Sequence, residues 1–447
     1  MIELTRDLCR YATGVVADEN ELLFARIAKE LPLAIHRFNS GDTFNGWSVP
    51  QNWRVRRALI KRGDKVVFDG IANTLGVARY SKSFAGSLDW DELRPHLVTH
   101  AELPDAYVFH CMWQYRPWQA DWAMSVPDSV FQQLGPGRYD VDLETEYAPG
   151  EMLVGVSDKP GSSDQIVVFQ SHSCHPHMAN DGFAGSAVII RLMQELSKRE
   201  TFYTYRFVVG PEHIGTVFYL RDMPQSERDR ICCGVFEEMP GTEGPVKLAS
   251  TFLGDQLVDR AFSHAAKQYS SAFVNVPWRQ GAGNDETVWE APGYEVPFLE
   301  LTRSEDLMRP FREYHTDLDG PDLMSAARLE EMLLVMRKAV DIFENNCRIW
   351  RNFDGLICLS NPTYDLYMER LDPAVAKDLP EDSEKWGYLL DCLLRYFDGS
   401  MTVLDIAEKH DLPFERVLSY IRKFADKGLV TLEFVPMARH TPSRRRA

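Results

Sequence analysis

The fold is decided by one stretch, residues 165–199, which reads QIVVFQSHSCHPHMANDGFAGSAVIIRLMQELSKR. It begins with an apolar run of strand length, passes through a polar loop rich in histidine, and continues with helical periodicity. Further apolar runs of strand length follow it: YRFVVG (205–210), ICCGVF (231–236) and VPFLEL (296–301). This alternation, from Glu144 to about Asn345, predicts an α/β domain whose mostly parallel sheet is flanked by helices.

The segments on either side of this core have different patterns. Residues 46–139 contain short alternating runs punctuated by Gly, Pro and Trp, which predicts a small β-rich domain inserted between residues 1–45 and 140–346 of the α/β domain. Residues 21–38 (ELLFARIAKELPLAIHRF) read as an amphipathic helix bent at Pro32. After a linker at 347–382, residues 383–447 have winged-helix spacing, with one helix, two helices joined at Leu412-Pro413, a closing hairpin and a short basic tail.

Composition narrows the classes of function. The 447 residues include 49 Lys and Arg against 66 Asp and Glu, a net charge of −17 that repels nucleic-acid phosphates. Apolar residues make up 45% of the chain, which is typical of a packed globular protein. No apolar run approaches the ~18 residues of a membrane helix, and the eight scattered cysteines predict buried thiols. We therefore expect a cytoplasmic protein that binds neither membranes nor nucleic acid.

The C-terminal segment agrees with that expectation. Its second paired helix, Phe414 to Lys427, mixes acidic with basic residues, namely Glu415 and Asp426 with Arg416, Arg422 and Lys423. A DNA-reading helix is usually more basic than this. The pattern favours protein contact or domain packing over DNA binding.

Candidate functional residues follow the apolar runs, because the site of an open parallel sheet lies beyond the carboxyl ends of its strands. Imidazole and carboxylate groups, the usual nitrogen and oxygen ligands of zinc, recur there. The candidates are His175 and Asp181 after the first run, Glu212 and His213 after the second, Glu238 after the third, and His315 after the last. Helix capping accounts for Asp285 but not for three imidazoles. Glu237 and Glu238 point to opposite faces of a strand, so we expect Glu238 in the site and Glu237 in solvent.

These loops resemble the motifs of the zinc aminopeptidases of the bacterial leucyl aminopeptidase type, a family that also includes glutaminyl cyclase. ANDGFAG (179–185) fits the family's Ala-x-Asp-Asn-x-Ser-Gly element, whose aspartate bridges two zinc ions. EHIG (212–215) matches Glu-Glu-x-Gly, EMPG (238–241) matches Asp-Met-x-Gly, and YHT (314–316) matches Tyr-His-Thr. The resemblance therefore implies a zinc aminopeptidase-like fold.

It also implies a reaction and a set of ligands. The reaction is metal-assisted hydrolysis of an amide in a small peptide or aminoacyl substrate, with zinc-activated water and Glu212 as general base. Asp181 would be the bridging ligand. One zinc would take His175, Asp181 and Glu238, and the other Asp181, His213 and His315. The expected cofactor is Zn²⁺, as one ion or two.

A closer resemblance, over nearly the whole chain, is to a bacterial group in which this domain carries an inserted small domain and a C-terminal winged helix. It rests on WSVP (47–50), CHP (174–176), PE (211–212), DE (285–286) and EYHT (313–316). Two other functions stay open: a single-zinc cyclase or acyl-transfer enzyme on the same scaffold, and a winged-helix regulator with a degenerate hydrolase domain. A homo-oligomer is also open.

Overall fold

A computed structural model describes residues 1–110, 113–116, 118–119, 121–304, 309–367 and 382–438. These residues form two compact units, the first made of Met1–Gln256 and Ala272–Leu333 and the second of Leu257–Ser271 and Leu334–Ala438. Among the helices of the described chain, none has the length and apolar character needed to cross a bilayer.

The strands of the described chain are numbered here in chain order. They are β1 (Ala34–Asn39), β2 (Thr43–Phe44), β3 (Trp47–Ser48), β4 (Asn52–Arg62), β5 (Lys65–Asp69), β6 (Phe84–Asp89), β7 (Leu97–Val98), β8 (Met124–Ser125), β9 (Arg138–Ala148), β10 (Glu151–Lys159), β11 (Ile166–His172), β12 (Thr204–Gly210), β13 (Ile231–Glu237), β14 (Val246–Ala249), β15 (Phe273–Val276), β16 (Phe298–Arg303), β17 (Cys347–Arg351), β18 (Asp398–Thr402) and β19 (Val430–Phe434).

The α-helices are numbered in the same way. They are α1 (Ile2–Leu8), α2 (Asn20–Ile27), α3 (Trp90–Leu93), α4 (Asp128–Phe131), α5 (Ala184–Leu196), α6 (Ile214–Asp222), α7 (Gln225–Arg228), α8 (Leu257–Tyr269), α9 (Glu286–Trp289), α10 (Ala326–Asn345), α11 (Ser383–Cys392), α12 (Val403–His410) and α13 (Phe414–Asp426).

The first unit contains an eight-stranded sheet in the order β1-β10-β12-β11-β13-β16-β14-β15. Its four central strands, β12, β11, β13 and β16, are mutually parallel, whereas β10 and β14 join them antiparallel. All residues of β11, β13 and β16 are buried, as expected for strands covered on both faces. The predicted α/β fold with a mostly parallel central sheet is confirmed, and the carboxyl ends of its central strands meet at one edge.

The predicted insert forms a four-stranded antiparallel sheet in the order β5-β4-β9-β6. Its apolar core is rich in aromatic residues, including Trp53, Trp122 and Tyr139. The third strand of this sheet, β9, runs to Ala148, so the sheet extends beyond the expected boundary at residue 139. The long pairing of β4 with β9 keeps this strand in the insert sheet.

The N-terminal region differs from its sequence prediction. The helix predicted over residues 21–38 ends at Ile27, as α2, and Ala34–Asn39 form the edge strand β1, antiparallel to β10. Pro32 lacks a backbone N–H and disfavours helix on its N-terminal side, so the chain leaves the helix before it. Beyond it, β1 gains backbone pairing along the sheet edge and buries Phe38 in the core.

The second unit contains a three-stranded antiparallel sheet in the order β18-β17-β19, with α11, α12 and α13. Its central strand, β17, lies in the segment expected to be a linker. The turn at Leu412-Pro413 joins α12 to α13 as predicted. The expected closing hairpin is wrong, because β19 pairs with β17 instead of with a strand next to it in sequence. Linker residues 368–381 and the basic tail, 439–447, lie outside the described residues.

Candidate metal centre

The candidate residues lie in loops that follow the central strands. His172 is the last residue of β11, and the loop after it carries His175 and Asp181 before α5 begins. This loop turns sharply at Gly182, whose φ of 115° suits glycine. A Cβ at this position would lie 2.4 Å from Met178 Cε and 2.9 Å from the carbonyl oxygen of His172, so no larger residue fits.

Asp181 is the centre of the cluster. Its Oδ1 lies 3.3 Å from His172 Nε2, and its Oδ2 lies 3.2 Å from His175 Nε2 and 3.5 Å from His315 Nε2. The two oxygens of one carboxylate therefore face two different sets of imidazoles. Asp181 is 1% exposed, so its charge is removed from water and must be balanced by groups inside the site.

Each oxygen of Asp181 belongs to a group of side chains whose ligand atoms lie within 4.8 Å of one another. The first group is His172, Asp181 and Glu238, and the second is His175, Asp181 and His315. The predicted residues His175, Asp181, Glu238 and His315 thus come together, but in a different pairing from the expected one. The structure places His172, not His175, beside Glu238, and it places His175 beside His315.

Sequence reasoning missed His172. Its Nε2 lies 3.0 Å from Glu238 Oε2, although His172 is only three residues before the predicted candidate His175. The available signal was its position at the very end of the apolar run, where a side chain points directly over the carboxyl edge of the sheet. A histidine at the end of a strand is therefore as good a candidate ligand as a histidine in the loop that follows.

Glu212 lies beside the first group, next to His172. Its Oε2 lies 3.5 Å from His172 Nδ1, and the Tyr115 hydroxyl donates a long hydrogen bond, 3.5 Å, to its Oε1. Cys174 Sγ lies 3.4 Å from the same His172 nitrogen, so His172, Cys174 and Glu212 form a third group of candidate ligands. The Glu212 side chain is 24% exposed, whereas those of Asp181 and Glu238 are 1% exposed. It is therefore the carboxylate of the cluster most open to a substrate.

His213 lies outside these groups. It has a positive φ of 51° at the start of α6, and its Nδ1 lies 3.9 Å from Asp285 Oδ1. The Asp285 carboxylate instead fixes the turn, because it accepts hydrogen bonds from the His213 backbone N–H at 2.6 Å and from Gln170 Nε2 at 2.9 Å. Asp285 was expected to cap a helix, but its side chain makes no capping bond to α9. Its role is to hold the turn that presents Glu212.

Glu237 also differs from its prediction. It was expected to be solvated, but it is fully buried and neither carboxylate oxygen has a hydrogen-bond partner among the described residues. The sheet is covered on both faces, so the side of β13 opposite Glu238 lies against α5 and not against water. A Cβ on Gly185 would lie 2.6 Å from Glu237 Oε2. Burial raises the pKa of Glu237 well above its usual value, and the Glu238 charge adds to this effect.

Neighbouring groups hold the ligand loops in place. Asp319 accepts hydrogen bonds from the backbone N–H groups of Asn180, at 2.8 Å, and Asp181, at 3.0 Å. Thr13 Oγ1 donates to the His175 carbonyl oxygen at 2.6 Å, and Arg79 of the insert donates to the Thr13 carbonyl oxygen at 2.9 Å. The carbonyl oxygen of Pro176 lies 2.8 Å from His175 Nδ1, which leaves Nε2 free to face Asp181.

Aromatic rings cover the second group. Phe109 of the insert stacks on His175 with ring centroids 4.0 Å apart, and Tyr314 stacks on His315 at 3.9 Å. Burial, together with the carboxylate of Asp181 and its neighbours, raises the pKa of Tyr314 well above its usual value. Its phenol therefore stays protonated and remains a hydrogen-bond donor beside the carboxylates.

The pKa shifts in the cluster differ in direction from one group to the next. Burial would lower the pKa of His172, but the Cys174 thiol, Asp181 and Glu238 together raise it well above its usual value. Burial would raise the pKa of Asp181, but the neighbouring imidazoles of His172 and His175 hold it well below its usual value. Burial lowers the pKa of His315 to about 4, so this imidazole is neutral at pH 7 and has a lone pair to offer.

The donor set fits zinc, which accepts histidine nitrogen and carboxylate oxygen. His172 Nε2 and Glu238 Oε1 are buried without a hydrogen-bond partner among the described residues, although carboxylates surround the imidazole nitrogen. A buried imidazole nitrogen and a buried carboxylate oxygen left without hydrogen bonds are arranged as ligands of a common ion would be. The described residues thus provide two histidines for one side of Asp181, and one histidine and one glutamate for the other.

Comparison with known proteins agrees with this fold. Residues 2–346 match the family described as "Domain of unknown function (DUF4910)". A Clostridium acetobutylicum protein, provisionally named a polysaccharide biosynthesis protein with aminopeptidase-like domain, is 27% identical over 454 residues, which cover 98% of this chain and 95% of that protein. A crystal structure from C. acetobutylicum, provisionally titled a peptidase, has a TM-score of 0.79 at 23% identity and covers 96% of this chain and 95% of its own.

Solved zinc aminopeptidases share the same architecture. The Bacillus subtilis zinc aminopeptidase BSAP superposes with a TM-score of 0.57 at 12% identity, covering 76% of this chain and 94% of that chain. The fold is therefore zinc aminopeptidase-like, as the sequence motifs predicted. Within that class, the chain belongs to the DUF4910 family.

Proposed function

We propose that this protein is a zinc-dependent hydrolase of amide bonds, most simply an aminopeptidase that acts on a small peptide or an aminoacyl amide. The observation that carries the proposal is the geometry of Asp181, whose Oδ1 faces His172 and whose Oδ2 faces His175 and His315. A carboxylate shared in this way can hold two cations side by side. Two-metal sites of this kind serve hydrolytic reactions.

The proposed ligands are the two groups around Asp181: His172 and Glu238 on one side, and His175 and His315 on the other. His213 is not proposed as a ligand, because the structure directs it toward Asp285. Zinc bound here would supply Lewis acidity, which acidifies water and polarises an amide carbonyl. The remaining chemistry belongs to the side chains of this chain.

Glu212 is the proposed proton carrier. Burial opposes its ionisation, but the neighbouring His172 and His213 bring its pKa below the usual value, so it is a carboxylate at neutral pH. From that state Glu212 accepts a proton from the attacking water and later donates it to the leaving amine. The backbone bond from His213 to Asp285 holds Glu212 in the turn, and Tyr115 limits the movement of Oε1.

The relatives support a hydrolytic enzyme over a sensor. The names of the C. acetobutylicum proteins refer to a peptidase and to an aminopeptidase-like domain, and the B. subtilis neighbour is a zinc aminopeptidase. A sensor would need a pocket but neither a general base nor a full set of ligands. This chain has residues suited to both roles.

The C-terminal unit gives no support to the regulator reading. Arg416 of α13 pairs with Asp382 and lies over the Trp386 ring, and Arg422 donates to Asn345 at 2.7 Å. Basic side chains committed to protein partners are poorly placed to contact phosphates. We infer that α13 serves packing and not nucleic-acid binding.

The test is hydrolysis by the purified full chain. The protein is loaded with zinc and assayed on aminoacyl amides and dipeptides, with product identification, alongside a chelated sample and the Glu212→Gln variant. We expect amine release that requires metal and is largely lost in the variant. A cyclised or transferred product would favour the acyl-transfer alternative, and no turnover of any of these substrates would contradict the proposal.

A further inference from the structure

A cavity in the first unit is lined by residues of the insert and of the segments that flank it. It has a volume of about 280 Å³, near the lower end of small-molecule sites, and it is large enough for a group the size of one residue. Its aromatic lining comes from Tyr80, Trp113 and Tyr147, and its polar lining includes Gln51 and Gln119. The proposed hydrolysis uses none of these residues.

The cavity has a distinctive charge. Lys82 is the one charged side chain among the described residues that line it, in a chain whose net charge is −17. Its ammonium lies 4.2 Å from the centroid of the Tyr147 ring and, within the described residues, forms no ion pair with a carboxylate. Some other cations of the insert do have such partners, for example Arg57 with Asp142 and Glu144. Lys82 therefore gives the cavity a local positive charge on an acidic protein.

The ring of Tyr147 fixes the position of this charge. Its hydroxyl shares one hydrogen bond between the carbonyl oxygens of Tyr80, at 2.6 Å, and Ser81, at 3.1 Å, which fixes the end of the ring that lies away from the backbone of β9. Lys82 itself is anchored through its backbone N–H, which donates to the Asp121 carbonyl oxygen at 2.9 Å. A cation held over the face of a fixed aromatic ring remains charged but has less conformational freedom. The Lys82 ammonium is therefore held at a defined position in the cavity.

Two short segments contribute both to this cavity and to the surroundings of Glu212. Trp113 lines the cavity, and two residues later Tyr115 reaches Glu212. Ser48 lines the cavity, and its neighbour Trp47 packs against Tyr115 and His213, with ring centroids 6.4 Å apart in both cases. Residues 47–48 and 113–115 therefore connect the lining of the cavity that contains Lys82 with the surroundings of Glu212.

We propose that Lys82 binds the terminal carboxylate of the substrate, so that the preferred substrates are dipeptides or acyl-amino acids with a free carboxyl end. The inference rests on the proposed function and adds the substrate class to it. The carboxylate would pair with the Lys82 ammonium, the charged group that the cavity offers. Tyr80, Trp113 and Tyr147 would enclose the adjoining carbon atoms.

Binding is tested first, without turnover. The zinc-loaded Glu212→Gln protein is titrated by calorimetry with Leu-Gly and with Leu-Gly amide, which differ in the terminal charge. We expect the amide to bind about ten- to a hundred-fold more weakly, the usual worth of a hydrogen bond to a charged group. Adding Lys82→Gln should remove this preference and leave amide binding unchanged, which also shows that the variant is folded.

The matched control is Lys65→Gln, at the exposed start of β5 in the same insert sheet. It should keep the full preference for the carboxylate. In the active enzyme, Lys82→Gln should raise KM for Leu-Gly about ten-fold and change kcat little, because the contact is the same in ground and transition states.

The two proposals fail in different ways. Equal affinity for Leu-Gly and its amide, or a preference that survives Lys82→Gln, would overturn the assignment of Lys82 even in an active hydrolase. Absence of hydrolysis by the wild-type protein would contradict the proposed function, while the binding comparison would still support or overturn the carboxylate site.

Discussion

Ionisable side chains differ in burial and pairing between two regions: the loops at the carboxyl edge of the central sheet, and the C-terminal unit. At the sheet edge, His172, Asp181 and Glu238 are each 1% exposed and cluster without a lysine or arginine partner among the described residues. In the C-terminal unit, carboxylates pair with basic side chains closer to solvent, as Glu415 does with Lys338. Surface pairs of that kind contribute little to stability, whereas a buried cluster is costly unless a further charge balances it. The difference supports the proposed metal site at the sheet edge.

The largest expected effect comes from removing the shared carboxylate. Asp181→Ala should reduce both bound zinc and hydrolysis to background, because each proposed ligand set loses a member and its common anchor. Metal analysis by mass spectrometry and a hydrolysis assay measure the two losses. The matched control is Asp426→Ala at the exposed end of α13, which should change neither. Wild-type zinc content in Asp181→Ala would contradict the claim that the sheet edge, unlike the C-terminal unit, binds zinc.

The next effect separates catalysis from binding. Glu212→Gln should keep zinc and lower turnover by about two to four orders of magnitude, the usual contribution of a positioned acid–base group. Glu415→Gln in the C-terminal unit, which removes a paired carboxylate, should leave turnover unchanged. Full activity in Glu212→Gln would refute the proton-carrier role. Loss of metal from it would instead make Glu212 a ligand, together with His172 and Cys174.

Much of this arrangement was predictable from residue order. The apolar runs that became β11, β12, β13 and β16 gave the central sheet, because strands buried on both faces have continuous apolar sequences. The same rule located Glu212 and Asp181 just beyond the strand ends. The edge strand β1 was missed, since a strand half exposed to solvent has a weak pattern and followed directly on a helical one.

The pairing of ligands was not predictable. His172, His175 and His213 all follow strands, and their spacing along the chain does not say which nitrogen faces which oxygen. The φ of 51° at His213 turns it from the group around Asp181, and a turn of that kind leaves no trace in composition. The fully buried Glu237 was missed for a related reason, because the position of Gly185 against it depends on helix packing.

A third prediction tests this pairing. His172→Ala should lower zinc content by about half and weaken activity strongly, because it removes a nitrogen from one of the two ligand sets. His213→Ala should leave zinc content unchanged, since its imidazole faces Asp285. The control is His410→Ala, a buried histidine of the C-terminal unit that contacts Tyr396. Loss of zinc from His213→Ala with full retention in His172→Ala would restore the ligand set expected from the motifs.

The smallest effect concerns support of the ligand loop. Thr13→Val removes the hydrogen bond to the His175 carbonyl oxygen while keeping the shape of the side chain. We expect zinc affinity to fall about ten-fold, the lower end of the effect seen for groups that orient metal ligands. Competition with a chromophoric chelator measures it. Thr431→Val, at an exposed position of β19, should show no change, and an equal loss in both variants would contradict a specific role for Thr13.

The measurement that tests the central claim most directly is anomalous diffraction at the zinc absorption edge from crystals of the zinc-loaded protein. The account predicts two peaks. One should be in contact with Asp181 Oδ1, His172 and Glu238, and the other with Asp181 Oδ2, His175 and His315. Zinc peaks elsewhere, with none in contact with Asp181, would contradict it.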